Sequence, residues 1–192
     1  MFRLPGIFRS VAVYATPKVH IQNLVVKPTF KNGKGVLNIV TTVENLNKKA
    51  AKNYNISYQL YENKLFGDEN KLVSTMLSNQ PMNLKNGTSM SVNDDFQFNN
   101  IKPWTPEEPN VYVLVALLKD KKNKVAEVVS VQTGFRTVEI KDTPASADEF
   151  NMAGRYFYIN DQPLKLKGVN RHDTSPTTVS YTHLRAHETL RY

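Results

Sequence analysis

A polar cluster near the C-terminus is the part of this sequence best suited to chemistry. Asn170, Arg171, His172 and Asp173 follow segment 164–168, in which two leucines alternate with two lysines before a glycine. Alternation with a period of two predicts a half-buried strand. Catalytic groups on α/β barrels project from the C-terminal ends of strands, so this cluster is a candidate active site. A strand followed by a solvated loop is the plain alternative.

The other titratable residues are weaker candidates. Adjacent acidic residues occur at Asp94-Asp95, Glu107-Glu108 and Asp148-Glu149. Neighbours on a strand point to opposite faces, whereas a general acid and base must face one substrate. We therefore interpret all three pairs as surface charge. His183 and His187 would share one face of a helix, but no third metal ligand accompanies them. The sequence predicts no metal site.

Composition narrows the classes of partner. The chain has no cysteine, which excludes disulfides, thiolate metal sites and thiol nucleophiles. The net charge is +8, but the lysines are spread along the chain. Their densest group, 119–124, lies between two strand-like segments and is typical of a hairpin tip, where charge also deters sheet aggregation. We expect no nucleic-acid partner.

The apolar segments of the sequence give an expectation for localisation. No apolar segment approaches the length of a membrane span. Segment 1–9 faintly resembles a signal peptide, but Pro5, Gly6 and Arg9 interrupt its apolar region. We therefore expect no membrane partner and a cytoplasmic location.

Short strand-like segments fill the middle of the chain. They are 19–26, 36–43, 54–61, 72–77, 90–98, 111–118, 125–131 and 134–140. Asn32-Gly33 and Asn86-Gly87 give turn signals between them, and no convincing amphipathic helix interrupts the series. This pattern predicts an all-β fold, an immunoglobulin-like antiparallel β-sandwich at 17–141. The continuously apolar segment 111–118 predicts a strand that is covered on both faces.

Two further strand signals flank the sandwich. Segment 8–15 has strand-type residues and ends at Pro17, so we interpret it as the last strand of a preceding unit. After a linker at 142–155, segments 156–159 and 164–168 flank 160–163 and predict a β-hairpin. In this interpretation the hairpin lacks the neighbouring strands of its own unit, and its apolar face is either exposed or packed on the sandwich. We therefore expect fast amide exchange after about residue 142, because isolated hairpins are marginal in water.

Three segments together carry a family resemblance. They are Leu-Lys-Gly-Val-Asn-Arg-His-Asp at 166–173, Trp-Thr-Pro-Glu-Glu-Pro-Asn-Val-Tyr at 104–112, and Met-Phe-Arg-Leu-Pro-Gly-Ile-Phe-Arg-Ser-Val at 1–11. In this order and spacing, over about 175 residues, the sequence resembles glycoside hydrolase family 2, most closely its long bacterial β-galactosidases.

The resemblance implies a domain plan. Residues 1–16 would end a jelly-roll sugar-binding domain, 17–141 would be the whole sandwich, 142–155 a linker and 156–178 the start of a TIM-barrel catalytic domain. The family hydrolyses terminal β-D-galactosides with retention, using two glutamates from later barrel strands. The resemblance places both beyond this chain. We therefore expect a fragment that braces its neighbouring domains and is inactive alone.

The resemblance also gives roles to the polar cluster. Asn170, Arg171 and His172 match positions on the floor of the family's active site. An arginine at 171 would orient the nucleophile's carboxylate and keep it ionised. A histidine that some members carry is replaced here by Thr174. For the parent protein the resemblance implies a β-galactoside substrate, magnesium and sodium bound outside this chain, and a homo-oligomer.

Two alternatives stay open from the sequence. The chain could be a free-standing immunoglobulin-like carbohydrate or adhesion module. Its parent could also be a β-glucuronidase or β-mannosidase of the same family. The tail departs from the resemblance, since 179–192 is similar to translated sequencing-adapter read-through. We interpret that tail as artefactual, which removes any role for its two histidines.

Overall fold

The computed structural model of the chain describes residues 11–63, 70–148, 151, 153–164, 166 and 168. Within these ranges the chain forms eleven β-strands and one short 3-10 turn, Ala145–Ala147. The strands are β1 (Val19–Lys31), β2 (Lys34–Asn45), β3 (Ala51–Asn63), β4 (Lys71–Leu77), β5 (Met82–Leu84), β6 (Ser89–Phe98), β7 (Val111–Lys119), β8 (Val125–Thr133), β9 (Val138–Thr143), β10 (Gly154–Ile159) and β11 (Gln162–Leu164). None of the described helical residues forms a segment long and apolar enough to cross a membrane.

The first eight strands form two antiparallel sheets. One sheet has the order β1-β2-β6, and the other has the order β4-β3-β7-β8 with β5 added to β3. Strand β6 therefore returns to the first sheet after three strands of the second, the crossed connection typical of immunoglobulin-like sandwiches. The predicted all-β sandwich is confirmed.

Alternating side chains bury the inner face of each sheet. On β7, Tyr112, Leu114, Ala116 and Leu118 are at most 2% exposed. The intervening apolar residues of this strand are only half-buried. The expectation that 111–118 is covered on both faces is therefore wrong, because the facing sheet covers one face of a sandwich strand and the other looks outward.

Tight turns fix the register of the hairpins. Asn32 and Gly33 alone connect β1 to β2, and both have positive φ, 51° and 74°. Two central residues with positive φ give a type I′ turn, whose twist matches that of the paired strands. At the β7–β8 tip, a carboxylate oxygen of Asp120 accepts the backbone N–H groups of Lys122 at 2.8 Å and Lys124 at 3.0 Å. The predicted hairpin tip is thus confirmed.

One apolar core joins the two sheets. Its fully buried members include Leu37 and Ile39 of β2 and Ile56 and Leu60 of β3. Burying one such side chain stabilises the fold by about 1.5–3 kcal/mol. Phe135, which follows β8, closes one end of this core.

A third sheet, β9-β10-β11, follows the sandwich. Phe157 on β10 lies opposite Ile140 on β9 and Leu164 on β11. The hairpin predicted at 156–168 is present over β10 and β11, but the expectation that it lacks a neighbouring strand is wrong. Segment 138–140 leaves the sandwich to pair with β10, and the sandwich boundary expected at Lys141 falls inside β9.

The expected strand at 8–15 is not seen over its described part. Residues 11–17 form no strand, and Val11 and Val13 are 74% and 97% exposed. A strand is stabilised by a partner for its backbone N–H and C=O groups, and no described strand pairs with this segment. Residues 8–10 lie outside the described part.

Candidate functional site

The predicted active-site residues lie outside the described part of the chain. This applies to Asn170, Arg171 and His172, and also to both tail histidines. Of the strand leading to them, Leu166 is 68% exposed and Gly168 has no atom within 4 Å of the position a Cβ would take. The described residues contain no group of three or more His, Asp or Glu that could hold a metal ion.

The described residues instead form a hydrogen-bonded junction between the sandwich and the small sheet. At its centre stand Thr137, just before β9, and Asn160, in the turn between β10 and β11. The backbone N–H of Asn160 donates to the Thr137 carbonyl at 2.9 Å, and the N–H of Thr137 donates to the Asn160 side-chain oxygen at 3.0 Å. Asn160 has φ +50°, which asparagine tolerates in turns. These reciprocal bonds hold the turn against the start of β9.

Each of these two residues also reaches into the sandwich. The Thr137 hydroxyl donates to the Phe30 carbonyl at 2.6 Å and accepts the Phe30 N–H at 3.1 Å. The amide nitrogen of Asn160 donates to the Trp104 carbonyl at 3.0 Å. Thr137 thus connects to the outer edge of β1, and Asn160 connects to the loop that precedes β7.

The sandwich side of the junction is fixed by core packing. The N–H of Trp104 donates to the Phe135 carbonyl at 2.8 Å. The Phe135 ring is fully buried and makes edge-to-face contacts with Phe98 and Tyr112, with centroids 5.7 and 5.4 Å apart. Such contacts add to the free energy of burial. The junction therefore rests on an anchored part of the core.

Besides its backbone hydrogen bonds, Trp104 has a contact on its indole ring. The guanidinium carbon of Arg136 lies 4.4 Å from the ring centroid, a cation–π arrangement. A cleft of about 520 Å³ opens beside this pair. On the hairpin side, a groove of about 340 Å³ runs between the 103–107 loop and β11.

Of the three acidic pairs interpreted as surface charge, Asp94-Asp95 departs from that expectation, and Glu149 of the third pair lies outside the described residues. Asp94 is 1% exposed, whereas Glu107 and Glu108 are exposed as predicted. Its carboxyl oxygens accept hydrogen bonds from the Tyr58 hydroxyl at 3.0 Å, the Ser78 hydroxyl at 3.1 Å and the Asn79 N–H at 3.2 Å.

A sequence signal for this burial existed. In the sequence, Asp94 alternates in step with Met90, Val92, Phe96 and Phe98, and residues two apart on a strand share one face. By contrast, no local pattern identified Thr137 or Asn160 as junction residues, because their partners lie 107 and 56 positions away.

The Asp94 cluster connects the two sheets. Tyr58 on β3 bonds to Asp94 on β6 and, at 2.8 Å, to the Thr41 hydroxyl on β2. Burial raises the pKa of the Tyr58 phenol well above its usual value, and the Asp94 charge adds to this effect. The phenol therefore remains a donor at neutral pH. Because the carboxyl group of Asp94 is buried and both of its oxygens are hydrogen-bonded, the cluster serves packing specificity rather than chemistry on a substrate.

The strand order and the junction define an immunoglobulin-like sandwich with a further sheet fixed to its end. Residues 19–136 match the family described as "Glycosyl hydrolases family 2". The chain belongs to this family.

Relatives agree with this family, and solved structures share the fold. The β-galactosidase of Streptococcus thermophilus is 33% identical over 186 residues, covering 92% of this chain and 15% of that protein. The β-galactosidase large subunit of Leuconostoc lactis is 30% identical over 193 residues, covering 97% and 26%. The crystal structure of Bacteroides uniformis β-glucuronidase superposes with a TM-score of 0.64 at 22% identity, covering 82% of this chain and 18% of that one. At that identity the likeness shows the fold alone.

Proposed function

We propose that this chain is part of a retaining β-galactosidase that hydrolyses terminal β-D-galactosides. The support is the β-galactosidase relatives at 33% and 30% identity, which match over 92% and 97% of the chain. The chain spans only 15–26% of their length. In this proposal Asn170, Arg171 and His172 form one edge of the active-site floor. Both catalytic glutamates come from other parts of the parent.

The role proposed for the chain itself is to brace its neighbouring domains. The observation that carries this role is the pair Thr137 and Asn160, which bonds the small sheet to two separate parts of the sandwich. A flexible linker would leave the angle between the sandwich and the next domain free. Several hydrogen bonds of 2.6–3.1 Å at one junction restrict that angle. Precise placement of a catalytic domain needs rigid support of this kind.

The proposal gives catalysis to none of the described residues. Asp94, a buried carboxyl group, has both oxygens bonded within the core. For the parent protein we also propose magnesium and sodium sites outside this chain, a homo-oligomeric state and a cytoplasmic location.

The test is activity of the purified 192-residue chain on a chromogenic β-galactoside, expressed in a host without its own β-galactosidase. We expect no turnover above that of buffer, because two carboxylates are needed for retaining hydrolysis. An Arg171→Ala variant is the control for contamination. Turnover that copurifies with the chain and falls in this variant would contradict the proposal, since a contaminating enzyme would be unaffected.

A β-glucuronidase parent is the second candidate. The shared fold of two β-glucuronidase structures from Bacteroides uniformis, with TM-scores of 0.64, is the reason to test this substrate as well. Reading the genomic sequence beyond codon 178 and assaying the encoded protein on both glycosides separates the candidates. A downstream barrel with two catalytic glutamates and preference for galactosides supports the first. A genome with no barrel sequence there would favour a free-standing module and overturn both.

A further inference from the structure

The stacked pair Arg136 and Trp104 has unused binding capacity. The guanidinium lies over the indole ring at 4.4 Å, and the Arg136 side chain is exposed. Among the described residues, no carboxylate pairs with it and no acceptor takes its N–H groups. Arg155 differs, because its Nε donates to Asp142 at 2.7 Å. A stacked guanidinium presents its N–H donors around its edge, away from the ring.

The surroundings hold this arginine in a defined place. The backbone of Trp104 is held at both polar groups. Its backbone N–H donates to the Phe135 carbonyl at 2.8 Å, and its carbonyl accepts the side-chain amide of Asn160 at 3.0 Å. Gly134 packs so closely on Trp104 that an added Cβ would come within 3.2 Å of it. The backbone that carries the indole is therefore anchored, Gly134 packs against one side of the ring, and stacking limits the orientations open to the guanidinium of Arg136. Less freedom is then lost when a ligand binds.

The cleft beside the pair has room for a small group. It has a volume of about 520 Å³ and is lined by Pro28, Trp104, Val111, Gln132, Thr133, Gly134, Arg136 and Val138. Besides Trp104, the apolar walls are Pro28, Val111 and Val138, and Gln132 adds an exposed amide. The lining contains one cationic side chain and no anionic one.

We propose that this cleft binds a carboxylate group. The planar fork of a guanidinium matches the two oxygens of a carboxylate in a bidentate pair. A single cationic side chain between apolar walls suits a planar monoanionic group better than a phosphate dianion, which would keep an unpaired charge. The carboxylate comes either from a free dicarboxylic acid or from an acidic side chain of a peptide segment. This site is independent of the proposed function.

The chain offers a direct reporter for this site. Trp104 is its single tryptophan, so intrinsic indole emission reports on this cleft. The full chain is titrated with glutarate, and separately with a short glutamate-containing peptide capped at both ends. Glutaramide is the neutral control, and ionic strength is held constant with chloride. We expect a saturable change in emission with glutarate or with the peptide, but none with glutaramide. The arm that saturates at lower concentration identifies the source.

Variants of Arg136 separate the effect of the bidentate guanidinium geometry from that of positive charge alone. Arg136→Gln is expected to weaken binding by about tenfold or more, and Arg136→Lys is also expected to weaken it, because lysine keeps the charge but loses the bidentate geometry. Arg155→Gln is the matched control and is expected to bind like the unaltered chain. Circular dichroism confirms that each variant is folded. Absence of a saturable change with both acids, an equal response to glutaramide, or full binding by folded Arg136→Gln would overturn the proposal.

Discussion

At the scale of single residues, the most informative position is Asp94. An acid beside a second acid in a strand looks like surface charge, yet the alternation that buries Val92 also turns Asp94 inward. The sandwich accommodates it because Tyr58, Ser78 and Asn79 supply three donors. Leaving such a group without partners would cost about 1–3 kcal/mol, so the donors are as much part of the fold as the apolar core.

We expect Tyr58→Phe to lower the free energy of unfolding by about 1–3 kcal/mol, because Asp94 and Thr41 each lose a buried partner. Tyr61→Phe is the matched control on the same strand. It removes only a part-buried bond to Gln59, and we expect a loss below about 0.5 kcal/mol. Urea unfolding followed by circular dichroism measures both. Equal losses would contradict this account of the cluster.

The same residue predicts a response to alkaline pH. Burial raises the pKa of Tyr58 above its usual 10.0 in the folded state. Above about pH 10 the unfolded chain releases this proton and the folded chain keeps it, so the free energy of unfolding falls as pH rises. In urea unfolding at pH steps from about 9 to 12, we expect a smaller fall for Tyr58→Phe than for the unaltered chain. If the free energies of unfolding of the two chains fall in parallel with pH, Tyr58 does not cause the alkaline loss of stability.

At the scale of elements, Gly35 at the start of β2 shows how closely the sandwich packs at its junction end. A Cβ there would lie 2.5 Å from Cγ2 of Ile101 and 2.9 Å from a ring carbon of Phe135. Both neighbours are buried, so neither can move without disturbing the core that supports Trp104.

We therefore expect Gly35→Ala to lower the free energy of unfolding by about 1–3 kcal/mol through overpacking. Gly168→Ala is the control, since the same substitution there meets nothing within 4 Å, and we expect no measurable change. Thermal unfolding of the two variants gives the comparison. A neutral Gly35→Ala would mean that this end of the core is looser than its distances indicate.

Many of the strands and turns could be predicted from the sequence. Alternation over 54–61 predicts β3, the continuous apolar segment 111–118 predicts β7, and Asn32-Gly33 predicts the first turn, because these signals are local. The partner of β9 was not predictable, since Val138 to Thr143 alternates in the same way whichever sheet it joins. The junction was also beyond prediction, because Thr137 and Phe30 meet only after the whole sandwich has formed. The predicted site at 170–172 lies outside the described residues and stays a prediction.

At the scale of the whole molecule, the junction decides whether the sandwich and the small sheet behave as one unit. The β10 strand is paired on both edges, by β9 and β11, and its turn is bonded to Trp104. The small sheet therefore gains stability from the sandwich rather than existing as a marginal hairpin. From this pairing we predict protection of β9 and β10, where the sequence alone leads us to expect fast exchange after residue 142.

Amide hydrogen exchange of the full chain, read by mass spectrometry on peptides covering 138–143 and 154–164, tests this bracing most directly. The account predicts slow exchange in both, with faster exchange at 154–164 in Asn160→Gly, which keeps the positive φ but loses both side-chain bonds. Asp161→Gly, in the same turn, is predicted to have a much smaller effect, because it loses only exposed ion pairing with Lys141. Exchange of 154–164 in the unaltered chain as fast as that of residues 11–17 would contradict the account.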